Sequence, residues 1–167
     1  MNKLIQYLAL FGLLLVTGVY WGPWLGLHRS LNLFSPAELI HLSQILAQNL
    51  GGSMGLLLPA CIGLMAVSAW MYPDKRSTNF YLLLLAIGFV VASLGISVGI
   101  EKPIVDQMKV WTASIVPADW QQLRDKWVYF TVVRLLTGLL AFGLYSAVLV
   151  WPLRSEPKPW RANALAG

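Results

Sequence analysis

Apolar residues gather in four long runs separated by short polar stretches. The runs predict helices over about 4–22, 52–72, 80–100 and 126–151. Each approaches the ~20 apolar residues that a helix needs to cross a hydrocarbon core of ~30 Å. Tyr20, Trp21 and Trp24 close the first run as an aromatic belt, and Pro23 there is a candidate kink or stop. Ser35-Pro36-Ala37-Glu38 is a helix start: Ser35 as N-cap, Pro36 at the first helical position, Glu38 completing a capping box. Helical periodicity then continues toward Tyr72, which is about 55 Å at 1.5 Å per residue. The second helix therefore carries a long extramembrane extension with His41, Gln44, Gln48 and Asn49, and Gly51-Gly52 is a candidate break before the span. Tyr72 to Ser77 is a polar turn, and Glu101-Lys102-Pro103 ends the third run. Beyond it, Ile104, Met108, Trp111 and Ile115 recur at helical spacing opposite Asp106, Gln107 and Lys109, which predicts a short amphipathic helix at the interface. Pro117-Ala118-Asp119 starts the fourth long helix, with Asp119 as N-cap.

The fold expected is an all-α, integral membrane four-helix bundle over 1–153, with an amphipathic interfacial helix and a polar tail over 154–167. Composition agrees. The chain is 57% hydrophobic and 11% charged, against about 25% charged in a soluble domain. Lys3 precedes the first run, so a signal peptide has to be weighed. The run is longer than the ~7–15 residues of a signal core and no small-residue cleavage site follows, so a retained helix is expected. Net charge is +5, with the basic residues scattered and no nucleic-acid motif. That pattern reads as charge beside a bilayer, and nucleic acid is not an expected partner. Lys3, Lys75, Arg76, Arg154, Lys158 and Arg161 fall on one side, and Arg29, Lys102, Lys109, Arg124 and Lys126 on the other. This slight bias, with the shorter loops on the first side, places both termini in the cytoplasm of a bacterial inner-membrane protein.

Arg134 is the ionisable residue well inside a span. A guanidinium in hydrocarbon is costly, so it is expected to face the bundle interior and find a partner there. Trp127, Thr131, Arg134, Thr137, Gly138, Ala141 and Tyr145 share its face, while Leu135, Leu136, Leu139 and Leu140 spread over the rest of the helix. Glu101, at the adjoining end of the third span, is the natural counter-ion. Two readings follow: a structural clasp that fixes helix register, or a polar pocket whose arginine binds an anionic or enolate-like ligand. Trp120, Arg124, Trp127 and Thr131 continue that face as candidate ligand-binding residues. Arg134, Glu101 and Asp106 are the candidate catalytic ones. His28 and His41 have no metal-ligand spacing, Cys61 stands alone, and no phosphate loop or nucleophile elbow is present, so no metal and no cofactor is assigned. Gly88, Ala92, Gly95 and Gly99 form a small-residue face suited to close packing of another helix, from this chain, a membrane partner or a second copy.

Glu101-Lys102-Pro103-Ile104, Asp106-Gln107, Trp111-Thr112, Pro117-Ala118-Asp119-Trp120, Arg124-Asp125-Lys126-Trp127 and Phe130 to Arg134 together resemble the anthrone oxygenase-like family of small four-span bacterial membrane proteins. The segment Gly18 to Glu38, with Trp21-Gly22, Leu25, Arg29-Ser30 and Ser35-Pro36-Ala37-Glu38, is similar to one bacterial branch of it. The resemblance implies cofactor-independent oxygenation of a planar substrate, with Arg134 stabilising an anion and Trp120 and Trp127 flanking the rings. The chain departs from the family in two places. Val105 and Asp106 stand where an asparagine is usual, and Thr131 stands where a histidine three residues before the arginine is usual. The family's evident base is therefore missing, and Glu101 or Asp106 would have to replace it.

Two functional classes remain. One is an oxygenase-like protein that binds a planar aromatic or quinone-like molecule near Arg134. The other is a non-enzymatic accessory subunit or lipid/quinone-binding module, with Glu101–Arg134 as its clasp. A transporter is a distant third, because no relay of ionisable residues accompanies Arg134 through the membrane.

Overall fold

The computed structural model describes residues 3–111 and 117–151. The tail over 154–167 and Ile115 lie outside these residues. All regular structure in the described residues is helical: α1 (Lys3–Leu27), a 3-10 helix (His28–Leu33), α2 (Pro36–Trp70), α3 (Thr78–Ile96), a π-helical turn (Ser97–Glu101), α4 (Lys102–Lys109) and α5 (Trp120–Val150). α1 packs between α2 and α5, and α3 closes the square from the opposite corner by packing against the same two helices. The result is an all-α four-helix bundle with four helices long and apolar enough to cross a membrane.

The helices are apolar outside as well as inside, which is why they carry almost no amphipathic signal. Leu4, Phe11, Leu14, Leu56, Leu85, Val91, Leu136 and Leu140 are exposed, and Trp70 and Trp151 stand out at one end. The core lies along the bundle axis, where Leu13, Met65, Leu83, Ala86, Ala141 and Tyr145 are fully buried. Two hydroxyl contacts cross the square diagonally. Ser68 of α2 meets the Tyr145 hydroxyl of α5 at 3.1 Å, and Ser93 of α3 donates to the Tyr20 hydroxyl of α1 at 3.1 Å. Buried hydroxyls need partners, so these contacts fix the rotation of each helix about its axis.

Several expectations are corrected. α1 runs through Pro23 to Leu27 instead of ending near residue 22. α2 passes through Gly51-Gly52 unbroken and ends at Trp70. The helix carries the ~1 kcal/mol propensity cost of each glycine between two buried stretches, Leu39 to Ser43 and Leu58 to Ala69. The expected extension of the second helix forms the first part of α2, and it is packed: Leu39, Ile40 and Ser43 are buried, as are Ile104 and Met108, and α4 packs against α2. The third run does not stop at Glu101-Lys102-Pro103. Buried positions on it fall at Asn79, Leu83, Ala86, Val90 and Ser93, then Glu101, Ile104 and Met108. At 100° per residue these positions stay within about 40° of one line, so the same face stays inward across the π-turn at Ser97–Glu101. Pro103 is accommodated in the first turn of α4, where its missing N–H is not needed.

Leu135 faces the core rather than the outside, at 2% exposure. Gly88, Ala92, Gly95 and Gly99 are exposed, and a Cβ built on each of the three glycines meets no atom within 4 Å. No helix among the described residues uses that face. Asp119 occupies the N-cap position of α5 without a side-chain capping bond, whereas Ser35 forms the full capping box: its side chain accepts from the Glu38 N–H and its own N–H donates to Glu38 Oε2 at 2.8 Å. Ser35→Ala is expected to remove about 1 kcal/mol of local helix stability. Hydrogen exchange should then quicken at the amides of Leu39 to Ser43 while those of Met65 to Ala69 stay unchanged.

Candidate functional site

Three helices each bring a short polar stripe to the same level of the bundle. On α1 the stripe is Thr17, Tyr20, Trp24 and, just beyond the helix, His28, spaced by three and four residues. On α3 and the π-turn it is Ser93, Ser97 and Glu101. On α5 it is Trp127, Thr131 and Arg134. Glu101 is 5% exposed, and a carboxylate so enclosed needs a cation and hydrogen-bond donors. It has both: Arg134 Nη1 makes an ion pair with Glu101 Oε2, and the Thr131 hydroxyl lies 3.0 Å from Oε1. The same threonine hydroxyl also lies 2.9 Å from the Trp127 carbonyl. It has one proton, so it donates to one acceptor at a time.

Two further contacts hold Arg134, and one of its donors is left unpaired. Nη1 reaches the Ser97 hydroxyl at 3.3 Å, the guanidinium carbon sits 4.4 Å from the centre of the Tyr20 ring, and Nε is buried without a hydrogen bond. A cation over a tyrosine face gains about 0.5–2 kcal/mol. Gly138, one turn along α5, lets that ring come close: a Cβ there would lie 3.3 Å from Tyr20 Cδ2. Ser97 itself donates back to the Ser93 carbonyl at 3.0 Å. Nη2 makes no hydrogen bond and is not among the buried atoms, so one edge of the guanidinium stays accessible.

Arg134 lines a cavity of about 530 Å³, within the ~300–1,000 Å³ of small-molecule sites. Arg134, Glu101, Thr131, Ser97 and Tyr20 form its polar end. Its walls are mostly apolar, from Leu27 and Leu31, Leu46 to Leu58 of α2, Leu94 and Val105, with Trp24 and Trp127 as the aromatic surfaces. Trp24 stacks on His28 at 3.8 Å between ring centroids.

Five of the seven residues singled out from sequence meet at this cavity: Arg134, Glu101, Asp106, Trp127 and Thr131. Trp120 and Arg124 do not line it. They satisfy each other at the start of α5, with the Arg124 guanidinium 5.4 Å from the Trp120 ring and bonded to Asp125 Oδ1 at 2.8 Å. Trp120 therefore lies away from the cavity, which Trp24 lines together with Trp127. His28 lines the cavity and His41 is exposed outside it, and no three metal-ligating side chains cluster among the described residues. Tyr20, Trp24, Ser93 and Ser97 were not singled out by sequence as site residues. Their signal was present as the three-and-four spacing of polar and aromatic residues within apolar runs. No family model, no curated protein and no solved structure matches this chain.

Proposed function

We propose that this is a multi-pass protein of a bacterial inner membrane, with both termini cytoplasmic, that holds a planar aromatic or quinone-like molecule beside Arg134. The observation that carries this reading is a guanidinium engaged through Nη1 alone by Glu101 and Ser97, with Nη2 making no hydrogen bond, at the polar end of an apolar cavity. A rigid donor edge in an apolar surround suits a carbonyl or phenolate oxygen on a flat apolar body. Trp24 and Trp127 offer faces for the rings.

The resemblance to anthrone oxygenase-like proteins adds a reaction to the reading. A base takes the acidic C–H proton, the anion spreads onto the oxygen beside Arg134, and dioxygen oxidises that carbon to a carbonyl with release of one water. Asp106 or Glu101 would be the base.

Two measurements test this. In nanodiscs, 1,4-naphthoquinone should quench tryptophan fluorescence saturably. Arg134→Lys, which keeps the charge but loses the second donor edge, should weaken binding about tenfold, or about 1.4 kcal/mol. With anthrone, wild type should consume oxygen faster than empty nanodiscs and Arg134→Lys should not. Identical quenching by wild type and variant would remove Arg134 from any site. Binding without oxygen uptake would leave a binding module.

The second reading is the clasp in a non-enzymatic accessory or structural subunit. It is favoured by the direct Arg134–Glu101 pair, which neutralises the arginine without a ligand. The open Gly88, Ala92, Gly95 and Gly99 face would then receive a partner protein or a second copy.

A further inference from the structure

The residues that line the cavity and are themselves exposed fall into two groups. His28, Lys102 and Asp106 stand at the end of the bundle, beside the start of α4. Gly51 and Gly55 of α2 and Val98 of the π-turn stand lower down, on the side. Two exposed parts of the lining therefore meet the outside, one at the end of the bundle and one on its flank. The lateral one has a local cause. α2 packs against α3 below and α4 above, but makes no more than passing contact with the π-turn between them. The π-turn directs Glu101 inward and leaves Val98 57% exposed. Across the gap, two glycines spaced by four residues leave a side-chain-free strip on α2, with no atom within 4 Å of a built Cβ at either.

The depth of this flank opening follows from helical rise. Trp70 and Trp151, exposed at the far end, mark one boundary of the apolar zone. At 1.5 Å per residue, Gly55 lies about 22 Å from Trp70, Val98 about 30 Å from Thr78 and Arg134 about 26 Å from Trp151. A hydrocarbon core is ~30 Å thick. The window and the guanidinium therefore sit at the same level, within the last few ångströms of hydrocarbon, where the head of a membrane-dissolved amphiphile resides.

We infer that the cavity is loaded from the bilayer, through the window between α2 and the π-turn, by an amphiphile whose oxygen-bearing planar head reaches Arg134 while its alkyl tail stays among the lipids. This rests on the ligand-binding reading above and narrows its ligand class to membrane-confined molecules. The end opening at His28, Lys102 and Asp106 serves water-borne molecules instead.

The test uses the full chain in nanodiscs with Gly52→Cys and Gly99→Cys, exposed neighbours of the window residues that do not themselves line the cavity. Cys61 is buried against the Ala9 carbonyl and does not compete. One sample is bridged with a long flexible bis-methanethiosulfonate, and the control is capped with the monofunctional reagent. Two probes are used: 2-methyl-3-decyl-1,4-naphthoquinone, confined to the bilayer, and 1,4-naphthoquinone-2-sulfonate, confined to water. Association is followed by stopped-flow tryptophan quenching. Bridging should form readily by mass spectrometry, slow the decyl probe more than tenfold and leave the sulfonate within twofold. Failure to bridge, an unchanged decyl rate, or equal slowing of both probes would overturn lateral loading while leaving the site itself standing. Absence of quenching by either probe in the capped control and in the unsubstituted protein would instead overturn the ligand reading, and the route with it.

Discussion

Glu101→Leu should destabilise the bundle by about 3 kcal/mol, and adding Arg134→Met to it should restore most of that loss. Removing one partner of a buried ion pair leaves the other charge uncompensated, at about 3–5 kcal/mol, whereas replacing both with apolar side chains of similar size is often neutral or better. Glu101 is the more enclosed of the two, with its side chain 6% exposed against 22% for Arg134. Arg134 retains cavity access, so the low end of the range applies. Arg134 would also keep its Tyr20 face and the Ser97 hydroxyl, which explains why the loss is not larger. Unfolding in mixed micelles by increasing SDS, followed by tryptophan fluorescence, measures all three proteins on one scale. A double variant as unstable as Glu101→Leu alone would show that the pair contributes net stability, which no desolvation argument anticipates. A single variant as stable as wild type would mean that the guanidinium has found water or lipid headgroups. Both the clasp and the polar pocket would then lose their basis.

The same pair shows how much could be read from the sequence. Arg134 within an apolar run required an acid, and Glu101 was the acid at the matching level, so the ion pair followed from cost alone. The four helices followed from run length. What sequence did not give was rotation. Leu135 reads as lipid-facing because it adjoins Leu136, yet it lies on the buried side with Gly138 and Ala141, and leucine is equally at home on either side of a membrane helix. Gly88, Ala92, Gly95 and Gly99 read as a packing face without showing for which helix, and no helix among the described residues covers them. In a soluble helix, polarity marks the outside; here it is absent, so only the few polar residues report direction.

The π-turn was hidden for a related reason. Glu101-Lys102-Pro103 carries a charge pair and a proline, which locally resemble a stop. The information that the helix continues lies further on, in Ile104 and Met108, which keep the buried phase of Asn79 to Ser93. Tyr20 was legible only as an interface aromatic. Its role depends on Gly138 of α5 making room for its ring, a contact between residues far apart in the chain. Trp120 was misplaced because a helix face continues for its full length in sequence, whereas the cavity stops near Trp127.

Filling the cavity should separate the two functional readings, with the largest effect on binding of any substitution. Gly51→Leu with Gly55→Leu is expected to leave the fold intact or slightly more stable and to weaken naphthoquinone binding more than a hundredfold, or about 2.7 kcal/mol. Both glycines line the cavity, neither has an atom within 4 Å of a built Cβ, and neither has a positive φ. The new side chains therefore enter open space rather than protein. Each replacement also removes a glycine from a helix interior, a gain of up to about 1 kcal/mol in propensity. The ion pair, the Tyr20 ring and the Ser97 contact are untouched, so lost binding could not be charged to a broken clasp. If the protein is an accessory subunit held by that clasp, the double variant should keep its partner and its cellular role while gaining stability. If it is a ligand-binding protein, it should be stable and inactive. Thermal unfolding beside quenching titrations, on the same nanodisc preparations, distinguishes these outcomes. Undiminished binding in a correctly folded double variant would place the ligand outside this cavity altogether.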